Sequence, residues 1–366
     1  MLPTSKITMN ATKTIDLNYY LHQKNFLWNS LAILYTLGSY GVGIGLFLIP
    51  NNWINVVGIV VLAHSLVFSA LLAHEFMHGN IFSNMHWNTV GGNLMLWLNG
   101  GCYTRFKDLV KMHIAHHVNR IDYCRFDLLT FLQSIPPPLR WGLLSLEWLY
   151  FPILAFLVRI YLILVPFWLP ERKDERFRVI LIFSIRVSLF IVLGLSSFKA
   201  LLLYFLAYIS MIHILRFMDA FQHTYESLPV GVSKPNHTPE FALHLTNIYE
   251  QANTFSNIIS QKYWWLNLLL LNFGYHNAHH QFIKCPWYYL HKLDRELYPN
   301  TNTHYITLTE LFGNYHRFRV SRIFTGQGKA IDGETSSRIE EFYGAIEVSF
   351  LVVPAQMQHI RSESRA

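Results

Sequence analysis

Three short runs in this chain carry imidazoles at spacings that suit a metal ion. They are His74-Glu75-Phe76-Met77-His78, His113-Ile114-Ala115-His116-His117 and His276-Asn277-Ala278-His279-His280. On a helix, residues three or four apart share a face and stand about 5–6 Å from one another. HxxxH therefore aims two rings at one centre. HxxHH adds a third ring just around the helix, enough to serve two neighbouring metals. Imidazole suits zinc, copper, iron and nickel. The three runs hold more histidines than one tetrahedral zinc can use, so two metals are the economical reading. A fourth element is Asp219-Ala220-Phe221-Gln222-His223, whose end residues are again four apart. His223 is expected to join the centre. Asp219 is expected to ligate directly, to act through water or to orient a ligand histidine, and Glu75 and Asn277 are candidates for the same supporting work. No catalytic group separate from the metal ligands is expected.

These runs must be positioned by something, and composition says what. The chain has 366 residues, is 52% hydrophobic and 16% aromatic, and only 14% of it is charged. Soluble domains carry about 25% charged residues, so an ordinary soluble enzyme is excluded, and the abundance of large apolar residues excludes disorder. Cys102, Cys124 and Cys285 are too few and too irregular for a disulfide framework. The net charge of +7 does not point to nucleic acid, because the basic residues flank apolar runs and form no stripe interleaved with aromatics. Flanking positive charge is what a membrane orients.

Residues 1–25 are polar and read as a cytoplasmic N-terminal segment, without the features of a signal peptide. Phe26–Pro50 and Trp53–Ala73 are each long enough to span, at about 20 apolar residues per crossing. The uncharged turn between them makes a hairpin with both ends on the basic, cytoplasmic side. Thr89–Gly101 is short and glycine-rich, which suits an interfacial or re-entrant segment. Trp141–Trp168 is apolar but interrupted by Arg159 and flanked by prolines. Arg178–Ser197 and Ala200–Phe217 form a second hairpin, and Arg186 inside it is expected to snorkel to the near interface. If the histidine runs meet, the chain crosses an even number of times between them. Trp141–Trp168 then lies in the interface or dips and returns; the rival is that it spans and a later run does not. Tyr263–Phe273 is a short apolar piece before the last run. The expected architecture is an all-α integral membrane protein: two transmembrane hairpins, about four spans, with interfacial helices and a cytoplasmic helical cap carrying the histidines. The division is 1–25, a membrane unit over 26–298, and a cytoplasmic tail over 299–366.

The remaining histidines need separate readings. His64 and His213 each sit ten residues before a cluster residue, inside an apolar run, about 15 Å into the bilayer. Intramembrane ionisable groups are functional suspects, so both are candidates to line a substrate tunnel; the plainer reading is a neutral histidine bonded to a neighbouring helix. His237 and His244 precede the last run without motif spacing. His22, His86, His291, His304, His316 and His359 read as scattered surface residues. Trp287, Tyr288, Tyr289 and Leu290 either cap the site from below or bind the interface.

A single HxxxH is a common accident of packing; three runs at one membrane depth are not. Taken in order, HxxxH at His74/His78 and HxxHH at His113/His116/His117 and at His276/His279/His280 resemble the three boxes of the membrane fatty acid desaturase and hydroxylase family. The alternation of hairpin, two boxes, hairpin and third box is similar too, and the resemblance covers about Phe26 to Tyr298. It implies a non-haem di-iron centre held almost wholly by histidine, O2 as co-substrate and a fatty acyl lipid or acyl thioester as substrate. His223 matches the extra ligand that the family places after its fourth span. In acyl-CoA desaturases the residue four before that histidine is an Asn holding a water; Asp219 stands there in this chain, which puts that role in doubt. The HPGG haem signature of a fused cytochrome b5 domain is not found in the sequence, so the resemblance implies a separate electron donor of the ferredoxin or cytochrome b5 type. A basic face would attract an acidic donor.

Rival chemistries use the same residues. Hydroxylation or carotenoid oxidation needs the same boxes. The first box is also HExxH, in which His74 and His78 would bind zinc and Glu75 would be the general base of a membrane protease; that reading leaves both HxxHH runs unexplained. A divalent-metal transporter would place its histidines along the spans, whereas these cluster at span ends.

Overall fold

The computed structural model describes residues 6–9, 13–21, 24–124, 128–219, 222, 223, 225, 227–229, 246–299, 305–321 and 323. The fold is helical. Helices α1 (Phe26–Phe47) and α2 (Asn52–His78) form the first hairpin, and α3 (Met85–Asn99) and α4 (Phe106–Asn119) follow. Next come α5 (Pro137–Trp148), α6 (Ile153–Trp168), α7 (Arg176–Ser196) and α8 (Phe198–Asp219). The last part holds α9 (Asn247–Asn253), α10 (His276–Gln281), α11 (Leu290–Leu297) and α12 (Leu308–Arg317). Two short ladders are the exceptions among the described residues: antiparallel Lys6–Met9 with Lys13–Asp16, and parallel Asp122–Cys124 with Ser227–Pro229.

Among the described residues, four helices are long and apolar enough to cross a membrane: α1, α2, α8 and the stretch Pro170–Ser196 that contains α7. α2 is the central one, with 67% of its apolar window buried against 11% for the Pro170–Ser196 stretch, so α2 packs within protein while α7 faces outward. Asn51 starts α2 by accepting from Ile54 N–H at 3.1 Å. The helix then runs through the first histidine box without a break. Gly79 ends it in the left-handed conformation at φ 68°, where a glycine carries no steric cost.

The segment 141–168 is bent, a form that suits either a dip or a broken span. α5 and α6 meet at 114°, with Pro152 directly before α6. Glu147 holds the corner: Oε1 accepts from Leu154 N–H at 2.8 Å and Oε2 from Arg216 Nη1 at 3.0 Å. That buried ion pair fixes the bend onto the last two turns of α8. Arg186 Nη1 donates to the Trp97 carbonyl at 2.6 Å, near the end of α3. Two expectations are corrected. His291 and His316 are not plain surface groups. His291 stacks on Trp264 with ring centroids 4.4 Å apart, and His316 Nδ1 meets Tyr150 Oη at 2.5 Å. His22, His237, His244, His304 and His359 lie outside the described residues, as do most of the N-terminal segment 1–12 and most of 299–366. The described part of that tail packs back, with Tyr315 against Phe217 of α8.

Candidate metal centre

Each histidine box is delivered by a helix end that is tied down. In α2, His74 and His78 lie one turn apart and are buried. The carbonyls that close this helix are taken by lysines: Lys24 Nζ donates to Gly79 O at 2.8 Å, and Lys284 Nζ donates to His78 O. Cations at a helix C-terminus are favourable. α4 carries His113, His116 and His117 and stops at Arg120, a non-glycine residue at φ 52°. The Arg120 side chain donates to Glu250 Oε2 at 2.9 Å and to Asn247 Oδ1 at 3.2 Å. His223 is drawn in by an isolated bridge to Thr254, with Phe255 N–H on the Gln222 carbonyl at 2.8 Å. Asn257 joins this strap to the end of α8 and to the loop before α10: its Nδ2 donates to Met218 O, and its N–H donates to Gly274 O at 3.0 Å.

The rings converge in two adjacent groups. His74, His78, His113, His117 and His279 form one, and His116, His223 and His280 form the other; within each group one nitrogen per residue lies within 4.8 Å of all the others. Both HxxHH boxes are therefore split, giving residues to each group. The groups touch at His117 and His280, whose ring centroids are 4.2 Å apart. His276 is in neither group, but its Nε2 lies 2.7 Å from His223 Nε2. Asp219, at the end of α8, is buried and belongs to neither.

The ring spacings fit a metal. Two nitrogens, each about 2.1 Å from one ion and at 90–110° to each other, stand about 3.0–3.4 Å apart. Nε2 of His74 and His78 are 3.3 Å apart, those of His78 and His113 2.9 Å, and those of His113 and His117 3.1 Å. Both ring nitrogens of His279 and Nε2 of His280 are buried with no hydrogen-bond partner. Buried polar atoms rarely go unpaired, and metal ions would pair one nitrogen of His279 in the first group and Nε2 of His280 in the second. Burial, reinforced by neighbouring histidines, holds His113, His117, His276 and His280 well below the usual imidazole range, and lowers His279 to about 3. The rings are thus neutral at neutral pH, the form that ligates.

The outer nitrogens show which groups steer these rings. His116 Nδ1 sits 3.1 Å from the Ile121 carbonyl. Glu75 Oε1 lies 3.4 Å from His74 Nδ1, and Glu75 Oε2 accepts from Asn80 Nδ2 at 3.1 Å. His280 Nδ1 lies 3.3 Å from Glu250 Oε1, while Tyr225 stacks on His223 at 4.3 Å. Burial raises the Glu250 carboxyl above its usual range against the pull of Arg120. Glu250, Tyr225, Asn80 and Arg120 escaped sequence reasoning. None has motif spacing, and Glu250 stands 30 residues from His280. Asn277 is fully buried, and neither side-chain polar atom has a partner. His64 and His213 lie apart from the centre. His64 bridges Tyr35 Oη at 2.6 Å and Leu269 O at 2.9 Å; His213 bridges Tyr315 Oη at 3.0 Å and Tyr150 O at 2.7 Å. Trp287 and Tyr288 are buried under α1: Trp287 Nε1 donates to Asn29 Oδ1 at 3.2 Å, and Tyr288 Oη accepts from Asn25 N–H at 2.5 Å.

The family model for fatty acid desaturases matches residues 51–312. The chain belongs to the fatty acid desaturase family. The matched stretch runs from the cap of α2 into α12 and contains every histidine of both groups. No curated protein and no solved structure matches the chain. Desaturase family membership, four apolar helices and two histidine groups fit a multi-pass membrane protein of the di-iron desaturase or hydroxylase class.

Proposed function

We propose that the protein inserts a carbon–carbon double bond into a fatty acyl chain, using O2 and a pair of irons held on the cytoplasmic side of the membrane. The observation that carries this reading is the meeting of all three boxes and His223 in two adjacent buried groups, in a chain of the desaturase family. His74, His78, His113, His117 and His279 would hold one iron. His116, His223 and His280, with His276 beside His223, would hold the other. When bound, the metal pair supplies the oxidising power that removing hydrogen from an unactivated methylene demands.

The protein's own residues bind, orient and exclude water. Glu75 and Glu250 stand at the outer nitrogens of His74 and His280, where a carboxylate fixes the ring and raises its basicity. Arg120 ties Glu250 to the end of α4, so the second and third boxes move as one body. Glu75 is thus a positioning residue in this reading, not the base of a zinc protease. Asn277 and Asp219 are assigned to the lining of the centre, Asp219 without a direct bond to metal. An acyl chain dissolved in the bilayer reaches a site at the span ends without crossing water, and each buried methylene contributes about 0.8 kcal/mol to holding it. His64 and His213 would border that path as neutral groups. The catalytic unit is residues 26–298, flanked by 1–25 and by 299–366, and reducing power arrives from a separate ferredoxin or cytochrome b5 type donor.

The test is expression in a host with a compatible donor, followed by mass spectrometry of the lipids. Loss of two hydrogens from an acyl chain is expected. Gain of one oxygen instead would replace desaturation with hydroxylation, and unchanged lipids in cells holding the metal-loaded protein would contradict both.

A further inference from the structure

The strap Thr254–Asn257 is buried along its whole length and is bonded on two sides: to the histidines on one, and to the chain beyond residue 298 on the other. Toward the histidines it reaches the two rings of the smaller group that α4 does not supply. Thr254 bridges His223, and its Oγ1 lies 2.7 Å from Tyr225 Oη. Tyr225 in turn stacks on His223, and its Oη is 3.5 Å from His280 Nδ1. Ser256 serves α10, the helix of the third box. The first amides of a helix have no partner within it, and Tyr275, at the cap position of α10, makes no side-chain cap. Ser256 Oγ supplies one from a distant segment, accepting from Asn277 N–H at 3.2 Å.

On its other side the strap is held by residues that follow the third box. Tyr305 forms a parallel bridge with Ser256, and Ile306 N–H donates to Ser256 O at 2.9 Å. Tyr305 Oη donates to Asp294 Oδ2 of α11, and α11 places Leu293 and Leu297 in one buried cluster with Tyr275 and Ala278 of the third-box segment. Thr307 and Glu310 then start α12 with reciprocal caps. Leu311 and Tyr315 of α12 close over Phe255 of the strap, with Phe217 of α8 beside them. The tail thus buries the strap, and the strap orients rings. The two histidine groups do not depend on this equally. His223 and His280 are two of the three rings in the smaller group. The larger group takes only His279 from α10, and its other four rings come from α2 and α4.

We propose that the tail segment Tyr305–Tyr315 is a positioning element of the metal centre, acting through Thr254 and Ser256, and that it holds the metal of the smaller group while the metal of the larger group does not need it. This role rests on the proposed pair of metals, and it carries the metal-binding unit past residue 298. Ser256 and Leu311 are not ligands. They fix the backbone that presents His223 and His280, and groups that orient ligands in this way govern metal affinity nearly as strongly as some ligands do.

The experiment is metal counting with chelator competition on the purified full-length protein, so that a failure of desaturation leaves its outcome standing. The wild type is expected to hold two irons. Ser256→Ala and Leu311→Ala should each weaken retention of one iron by about 10–100-fold and leave the other as tightly held as in the wild type. Adding either change to His116→Ala, which already breaks the smaller group, should cost no further metal. Thr254→Val deletes the strap's hydroxyl at nearly constant volume and should act in the same direction; Thr254→Ser, which keeps it, should restore most of the affinity. Phe312→Ala, on the exposed face of α12, should change nothing. If Leu311→Ala does not accumulate in the membrane, Tyr305→Phe, which deletes only the hydroxyl on Asp294, carries the tail's part of the test, with about tenfold weaker retention of the same iron. Wild-type retention of both irons in Ser256→Ala, or in the tail variant, overturns the proposal. Equal loosening of both irons overturns it too, because that is a general loss of fold. A wild type with one metal or none would refute the two-metal reading itself, and this role with it.

Discussion

The centre and the outlying pair His64 and His213 use the same side chain in opposite ways. His64 and His213 each meet a tyrosine hydroxyl at one ring nitrogen and a carbonyl at the other. Their bonding capacity is spent on protein, and they tie helices to loops. In the centre, the Nε2 atoms face one another, and both nitrogens of His279 face no protein donor or acceptor. Imidazoles packed this way lose hydration with no compensating bond, which is an arrangement that makes sense around an ion. What separates a ligand from a structural histidine is therefore where its two nitrogens end, not its depth in the membrane.

Breaking the centre should have the largest effect. His279→Ala and His116→Ala each remove a ligand from a different group and should abolish turnover and lower metal content, losing more than about 100-fold in activity while leaving the protein in the membrane. Retained turnover in either variant would contradict the ligand assignment. A smaller effect is expected one shell out. Glu250→Ala frees both His280 and Arg120 and should weaken metal retention by about 10–100-fold; Glu250→Asp should restore part of it, measured by chelator competition. At the α5–α6 corner, Arg216→Met leaves Glu147 as a buried unpaired charge and should cost about 3–5 kcal/mol, seen as a lower unfolding midpoint in detergent. The smallest effect belongs to His64→Ala and His213→Ala. Each removes interhelical or helix–loop bonds worth about 1 kcal/mol in a membrane protein, with metal content unchanged. A loss of metal in either would erase the distinction drawn between the two kinds of histidine.

The spans and the boxes were legible because both rest on short-range rules. Hydropathy over 20-odd residues marks α1, α2, α7 and α8, and i, i+3 and i+4 spacing marks the ligand faces. Even the break in 141–168 is marked by Pro152 inside an apolar run. Of the centre's support, Glu75 beside His74 was legible; the more distant groups were not. Glu250 meets His280 only because α9 folds back between the strap at His223 and the third box, and Arg120 meets Glu250 through a left-handed helix end that no periodicity announces. Nor could the sequence show that the Trp97 carbonyl ends within reach of Arg186. Tyr263–Phe273 reads only as a short apolar piece; its winding as a 3-10 helix over Trp264–Leu270, with Asn267 Oδ1 accepting from Ile259 and Ser260 N–H in the preceding turn, was not legible. These are contacts between distant segments, and they decide ring orientation more than ligand identity.

The most direct test of the central claim is the metal content of the purified full-length protein, by elemental analysis per chain. Two adjacent groups of buried imidazoles predict about two irons per chain, falling in both His279→Ala and His116→Ala. A single zinc per chain, retained in His116→Ala, would contradict the two-metal centre and return the first box to the reading of a zinc site.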